Sequence, residues 1–342
     1  MKDISVIGLD LAKEILHLIG LNKTGKLVIR KKLRRNQVKK YFKALPSCTI
    51  AMEGCASSHY WGRQFQQFGH QVKILPAQYV KAYVRGNKND YNDALAIAEA
   101  SQIQQMRAVK LKTPEQQGLQ ALHRIRRKSV GDRTSLCNQV RGLLAEFGIV
   151  LPRGMSQIRN KLPEILADET NDLPFMLRDA LSLKYIQLNQ VDELIEQLTS
   201  SIEIESKQHA EIKLLQTIPG YGPITASCFY SRVGDGSGYK QGRDVSAALG
   251  LVPRQHTSGD KQVLLGISKR GDKYLRSLLV HGARAVVRVA DKKTDRLSQW
   301  VTNLAARRGK NKATIALANK LARIGWAVIR KAQPYHTTYA EI

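Results

Sequence analysis

Short apolar runs that close on an acid mark the first part of the chain. Residues 4–10 are a β-branched run ending in Asp10, and residues 48–53 repeat the design and end in Glu53. Each predicts a buried strand. Between them, residues 16–21 and 27–33 predict two more strands joined by a turn at Asn22-Lys23-Thr24-Gly25, followed by a helix over 37–44. A helix over 60–68 stops at Gly69, and a strand over 72–75 ends before Pro76. A short helix over 78–84 and a longer one over 92–106 follow.

Three strands joined by hairpins, then helix, strand, helix, strand, helix, is the element order of an RNase H-like α/β domain with a mixed sheet. In such a sheet the C-terminal ends of neighbouring strands lie side by side, which sets Asp10 next to Glu53. The motif Asn87-Lys88-Asn89-Asp90-Tyr91-Asn92-Asp93-Ala94 adds two acids three residues apart, on one face of the closing helix. Alone, such a pair reads as caps that favour the helix N-terminus. Beside two strand-end acids it completes a cluster of four carboxylates that repel one another unless cations neutralise them, which points to Mg²⁺ or Mn²⁺.

Beyond Thr113-Pro114 the period changes. Leu119, Leu122, Ile125, Val130, Leu136, Val140, Leu143 and Leu144 recur at helical spacing among many arginines. Gly148 and Pro152 break this helix, and a second stretch over 175–209 carries the seam Leu188, Val191, Leu194, Ile195, Leu198, Ile202. The pair predicts a long antiparallel hairpin or coiled-coil arm, either a spacer or a dimerisation element. Ile218-Pro219-Gly220-Tyr221-Gly222-Pro223 then has the form of a helix-hairpin-helix turn, in which Gly220 and Gly222 leave backbone N–H groups open to a phosphate. A tight helix–helix turn without a ligand is the plain alternative. Further on, Ser258 falls in what reads as a Gly-flanked loop with Arg254, His256 and Lys261 around it. Lys269 and Arg270 form a second basic turn, and an amphipathic helix over 274–289 carries Arg276. These cations suit phosphates, and spacing alone does not make Ser258 a nucleophile. An Ala-rich helix over 313–331 closes a mostly helical C-terminal region.

Charge narrows the partners. Lys and Arg total 55 against 28 Asp and Glu, a formal net charge of +27 over 342 residues. Such an excess predicts a polyanionic partner, with nucleic acid ahead of an anionic membrane. No apolar run reaches spanning length, and Met1-Lys2-Asp3 leads into a strand rather than a signal peptide. Cys48, Cys55, Cys137 and Cys228 form no CxxC pair and suit reduced thiols in the cytoplasm. There is no Walker loop, HExxH, GxSxG or zinc spacing.

Taken together, Gly8-Leu9-Asp10-Leu11-Ala12-Lys13, Met52-Glu53-Gly54-Cys55, the acidic motif from Arg85 to Ala94, Ile218-Pro219-Gly220-Tyr221-Gly222, Leu249-Gly250-Leu251-Val252-Pro253-Arg254-Gln255, Ser258-Gly259 and Gly271-Asp272-Lys273-Tyr274-Leu275-Arg276 resemble the DEDD transposases of the one-ten insertion-sequence family, near its eleven-eleven subgroup, with Piv-type DNA invertases as relatives. The resemblance implies a RuvC-like catalytic domain over 1–110, a helical coiled-coil region over 111–210 and a transposase domain over 211–342. It implies that Asp10, Glu53, Asp90 and Asp93 hold the metal and that Ser258 attacks DNA phosphate. It further implies a guide noncoding RNA pairing with donor and target DNA, dimers that assemble into tetramers, and a bacterial, nucleoid-associated setting. After Glu53 many relatives carry a pattern ending in Gly-Thr-Tyr, whereas this chain has Ala56-Ser57-Ser58-His59-Tyr60-Trp61.

Two other functions use part of the same set. A junction resolvase that hydrolyses with water needs the four acids and not Ser258. A non-catalytic architectural protein needs only the charge and the helix-hairpin-helix. Whether the acids and Ser258 meet within one subunit or between two stays open.

Overall fold

The structure is a computed structural model that describes residues 3–87, 89–259 and 261–336; Lys88 of the acidic motif and Asp260 beside Ser258 lie outside the described residues. The chain divides into two compact units between Thr113 and Pro114.

In the first unit β1 (Val6–Asp10), β2 (Ile15–Leu21) and β3 (Leu27–Arg34) lead into α1 (Arg35–Lys43), β4 (Thr49–Glu53), α2 (Ser58–Gln67) and β5 (Gln71–Leu75). The short α3 (Ala77–Val80) and then α4 (Asp90–Gln102) follow. The five strands form one sheet in the order β3-β2-β1-β4-β5. β1 pairs antiparallel with β2 and parallel with β4. β1 is central, so both of its faces are buried and it reads as an unbroken apolar run. Ile7 and Leu9 point to the layer formed by Phe42 of α1 and Trp61 and Phe65 of α2. Val6 points to the opposite layer, against Ala94, Ile97 and Ala98 of α4. Three layers result, with the sheet in the middle.

α4 lies unusually close to β1 because position 8 has no side chain. A Cβ on Gly8 would come within 2.1 Å of the Ala94 carbonyl oxygen and 2.5 Å of the Ala98 nitrogen. The first turn of α4 is thereby drawn toward the end of β1.

The second unit opens with α5 (Pro114–Ala145), α6 (Met155–Ala167) and α7 (Phe175–Ser206). α5 and α7 run antiparallel: Arg133 donates to Asp192 at 2.9 Å, and Arg126 to Thr199 at 2.8 Å. Asp192 is buried, and Arg159 of α6 holds its other oxygen at 2.7 Å, so the three helices share one ion cluster. The predicted pair is present, with α6 as an unpredicted third member. Leu188, Ile195, Leu198 and Ile202 of the predicted seam are buried within the chain. Met176, Leu183, Ile186 and Ile204 of the same helix remain exposed.

α8 (Ala210–Gln216), α9 (Pro223–Val233), α10 (Gly242–Ala248), α11 (Lys273–Val289), α12 (Arg296–Arg308) and α13 (Lys310–Lys331) complete the unit. The apolar stripe Leu317, Leu321, Ile324 and Val328 of α13 runs through their shared core. Between α10 and α11 stands a hairpin of β6 (Pro253–Ser258) and β7 (Lys261–Ile267). This corrects the expected loop. The polar run of β6 shows no apolar alternation because every residue in it is exposed. Cys48, Cys137 and Cys228 are buried, Cys55 is exposed, and none of the four forms a disulfide. Among the described residues no helix is long and apolar enough to cross a membrane.

Candidate functional site

Asp10 is the last residue of β1 and Glu53 the last of β4. The parallel register sets Leu9 beside Met52, so the two acids follow each other off adjacent strands. Both lie on the α4 face of the sheet, since successive side chains alternate. Asp90 and Asp93 sit in the first turn of α4. Neither is its N-cap: that position is Asn89, whose side chain accepts from the Tyr91 N–H at 2.9 Å. Asn92 donates to the Asn87 carbonyl at 3.0 Å and pins the preceding loop. The asparagines of the motif therefore shape the turn, and the aspartates are left for other work.

Electrostatics tie the four acids together. Burial pushes the Asp10 carboxyl above its usual range, and the charges of Asp93, Asp90 and Glu53 push it further, while His17 opposes them. The neighbouring Cys55 thiol is raised by burial and then by Glu53 and Asp10. A half-buried carboxylate facing three others is a cluster that lacks positive charge.

His17 belongs to no motif, yet it stands opposite Asp10 in the antiparallel register of β1 and β2. Ligand atoms of Asp10, His17 and Asp90 all lie within 4.8 Å of one another. His17 Nδ1 is 3.3 Å from Asp90 Oδ2, but it is buried and makes no hydrogen bond. A buried ring nitrogen without a hydrogen bond, among carboxylates that repel, is a donor set that fits a divalent cation. The signal for His17 was the hairpin itself: with strands at 6–10 and 15–21, residues 10 and 17 fall opposite each other.

Ser258 ends β6 and pairs with Lys261 across the hairpin, while His256 pairs with Val263. Cross-strand partners and alternate residues share a face, so Ser258, Lys261 and His256 lie on one side of the ribbon. All three are exposed, as are Arg254, Lys269 and Arg270. The root of the hairpin is fixed, with Ser268 donating to the Val252 carbonyl and Lys269 to that of Gly250. Arg276 is placed inside the protein, where one guanidinium nitrogen donates to the carbonyls of Leu249 and Arg270 at 2.9 and 3.1 Å. It clamps the loops from which the hairpin rises.

A turn over residues 217–222 joins α8 to α9. Gly220 packs against Gly282 of α11, where a Cβ on either would meet the other's carbonyl oxygen. Gly222 is exposed and caps α9, with Pro223 in its first turn.

Comparison with known proteins extends these observations. Residues 7–149 match a family described as transposase, of the DEDD type, and residues 212–299 match the transposase family IS116/IS110/IS902. A probable family 20 transposase of Pseudomonas aeruginosa is 44% identical, over 97% of this chain and 99% of that protein. The transposase for insertion sequence element IS1111A of Coxiella burnetii is 43% identical, over 98% of this chain and 92% of that protein. A pilin gene-inverting protein of Moraxella bovis is 29% identical over 61% of this chain and 70% of its own length. This chain belongs to the IS116/IS110/IS902 family of transposases.

Proposed function

We propose that this transposase cuts and rejoins donor and target DNA strands through a phosphoserine intermediate on Ser258, with a divalent cation (Mg²⁺ or Mn²⁺) held by Asp10, Glu53, Asp90 and Asp93. The observation that supports the metal part of the reading is the placement of Asp10 and Glu53 at the ends of adjacent parallel strands, with Asp90 and Asp93 in the first turn of α4. The sheet order supports an RNase H-like reading of the first unit. The division of the remainder into a helical region over 111–210 and a transposase domain over 211–342 is part of the same proposal.

Ser258 Oγ attacks the scissile phosphorus, the bond to the 3′ oxygen breaks, and the hydroxyl proton leaves to a base. His256, on the same face of the hairpin, is the candidate base. Lys261 opposes the charge that builds on the phosphate. A cation held by Asp10, Glu53, Asp90 and Asp93 would polarise the phosphate and stabilise the departing oxygen. Rejoining reverses the step, as a 3′ hydroxyl of the new strand attacks the phosphoserine. The phosphodiester energy is kept, so no nucleotide cofactor is needed. Arg254, Lys269, Arg270 and the Gly220–Gly222 turn grip backbone phosphates without reading bases. Sequence choice falls to a guide noncoding RNA, for which a protein of this charge is suited.

The test is capture of a denaturation-resistant protein–DNA adduct. It is expected with the wild type and absent from both Ser258→Ala and Asp10→Asn. Cutting at the normal rate by Ser258→Ala would instead establish hydrolysis by water, as in a resolvase. Sequencing the RNA that copurifies with the protein, against the flanks of its gene, tests guidance separately.

A further inference from the structure

We propose that His17 is a direct ligand of the catalytic cation and gives the site a nitrogen donor that favours Mn²⁺ over Mg²⁺. The inference rests on the metal site proposed above and adds a ligand to it. Three independent observations converge. First, the β1–β2 register fixes His17 beside Asp10 whatever its rotamer. Second, Nδ1 is buried, makes no hydrogen bond, and stands 3.3 Å from Asp90 Oδ2. Neighbouring ligands on an octahedral ion with bonds of about 2.1 Å are separated by about 3 Å, so the spacing, which would also serve an ion pair with a protonated ring, suits two donors on one cation. Third, the ring is packed in place. Tyr91, between the two aspartates on α4, meets it edge-on with centroids 4.8 Å apart, and the Arg30 guanidinium lies 4.2 Å over the Tyr91 ring.

Donor chemistry then sets the preference. Mg²⁺ takes oxygen ligands and keeps its waters, whereas imidazole binds transition-metal ions more readily. A cluster of carboxylates alone discriminates weakly between the two ions. A nitrogen in the set tilts it toward Mn²⁺.

The experiment uses the full-length protein loaded with Mn²⁺ alone and read by electron spin-echo spectroscopy, which detects nitrogen bound to manganese. The expected result is a ¹⁴N coupling that becomes a ¹⁵N coupling in protein grown with ¹⁵N-histidine and disappears in His17→Gln. In the same variant the ratio of the Mg²⁺ to the Mn²⁺ dissociation constant is expected to fall about tenfold. Manganese bound without any nitrogen coupling overturns the ligand role and leaves the carboxylate site standing. Failure of the wild type to bind Mn²⁺ overturns both. The wild-type spectrum decides without the variant, so misfolding of His17→Gln does not protect the proposal.

Discussion

Asp10 holds its charge half-buried and opposite three other acids, so without a cation it weakens the fold it belongs to. Asp10→Asn is therefore expected to raise the melting temperature of the metal-free protein by roughly 2–4 °C. Mg²⁺ is expected to raise the melting temperature of the wild type further and to have no such effect on the variant; a variant less stable than the wild type in chelator would count against the cluster. His123 sets a second residue-scale outcome. It is buried and 3.0 Å from Ser227, whose hydroxyl already donates to the Pro223 carbonyl at 2.7 Å, so the ring must be the donor. Burial, helped by Arg126, lowers its pKa from 6.5 to about 4. Between those values the unfolded chain takes up a proton that the folded chain refuses. Stability is thus intact above pH 6.5 and falls by about 3 kcal/mol as pH drops to about 4. Denaturant unfolding across this window is expected to show the loss in the wild type and a flatter profile in His123→Gln.

At the scale of elements, α4 is the part whose position matters most. Gly8→Ala drives a methyl into the backbone of α4, which cannot yield as a flexible side chain can. A cost of about 3 kcal/mol is expected, together with at least a tenfold weaker Mn²⁺ affinity, measured by unfolding and titration. Normal affinity in a folded Gly8→Ala protein would show that the acids do not depend on this packing. α7 has a second unassigned face. Most of its predicted seam is buried inside the chain, and Leu183 and Ile186, two of its several exposed apolar residues, are the pair we propose faces another subunit. Leu183→Glu with Ile186→Glu is expected to shift sedimentation toward the monomer while leaving helical content unchanged. Much of this level was legible in the sequence. The five strands, their turn at 22–25 and the acids at strand ends follow from apolar runs and breakers, because β1, β2, β4 and β5 carry buried apolar positions that impose a pattern, whereas the edge strand β3 buries only Leu33. Three features were not legible. His17 has meaning only through pairing, which composition does not carry. α6 has a proline, Pro163, inside it that argues against a helix. β6 has no buried face and so no pattern to find.

For the whole molecule, the net charge of +27 makes DNA affinity a function of salt. Replacing Arg254, Lys261, Lys269 and Arg270 together by alanine is expected to make the log–log salt slope shallower by roughly 3–4, at about 0.9 for each phosphate that is no longer neutralised. An unchanged slope would move the DNA grip elsewhere on the chain. The β6–β7 hairpin governs a different property. Val263, Leu264 and Leu265 are exposed on it, and a two-stranded ribbon with both faces in water is only marginally stable. A serine at its end is an ordinary alcohol, chemically idle until something else is built around it. For a mobile element this has value as restraint. On the function proposed above, copies that are not engaged in a complex would leave the host chromosome uncut, and strand exchange would follow how often a complete complex forms, not how much enzyme accumulates.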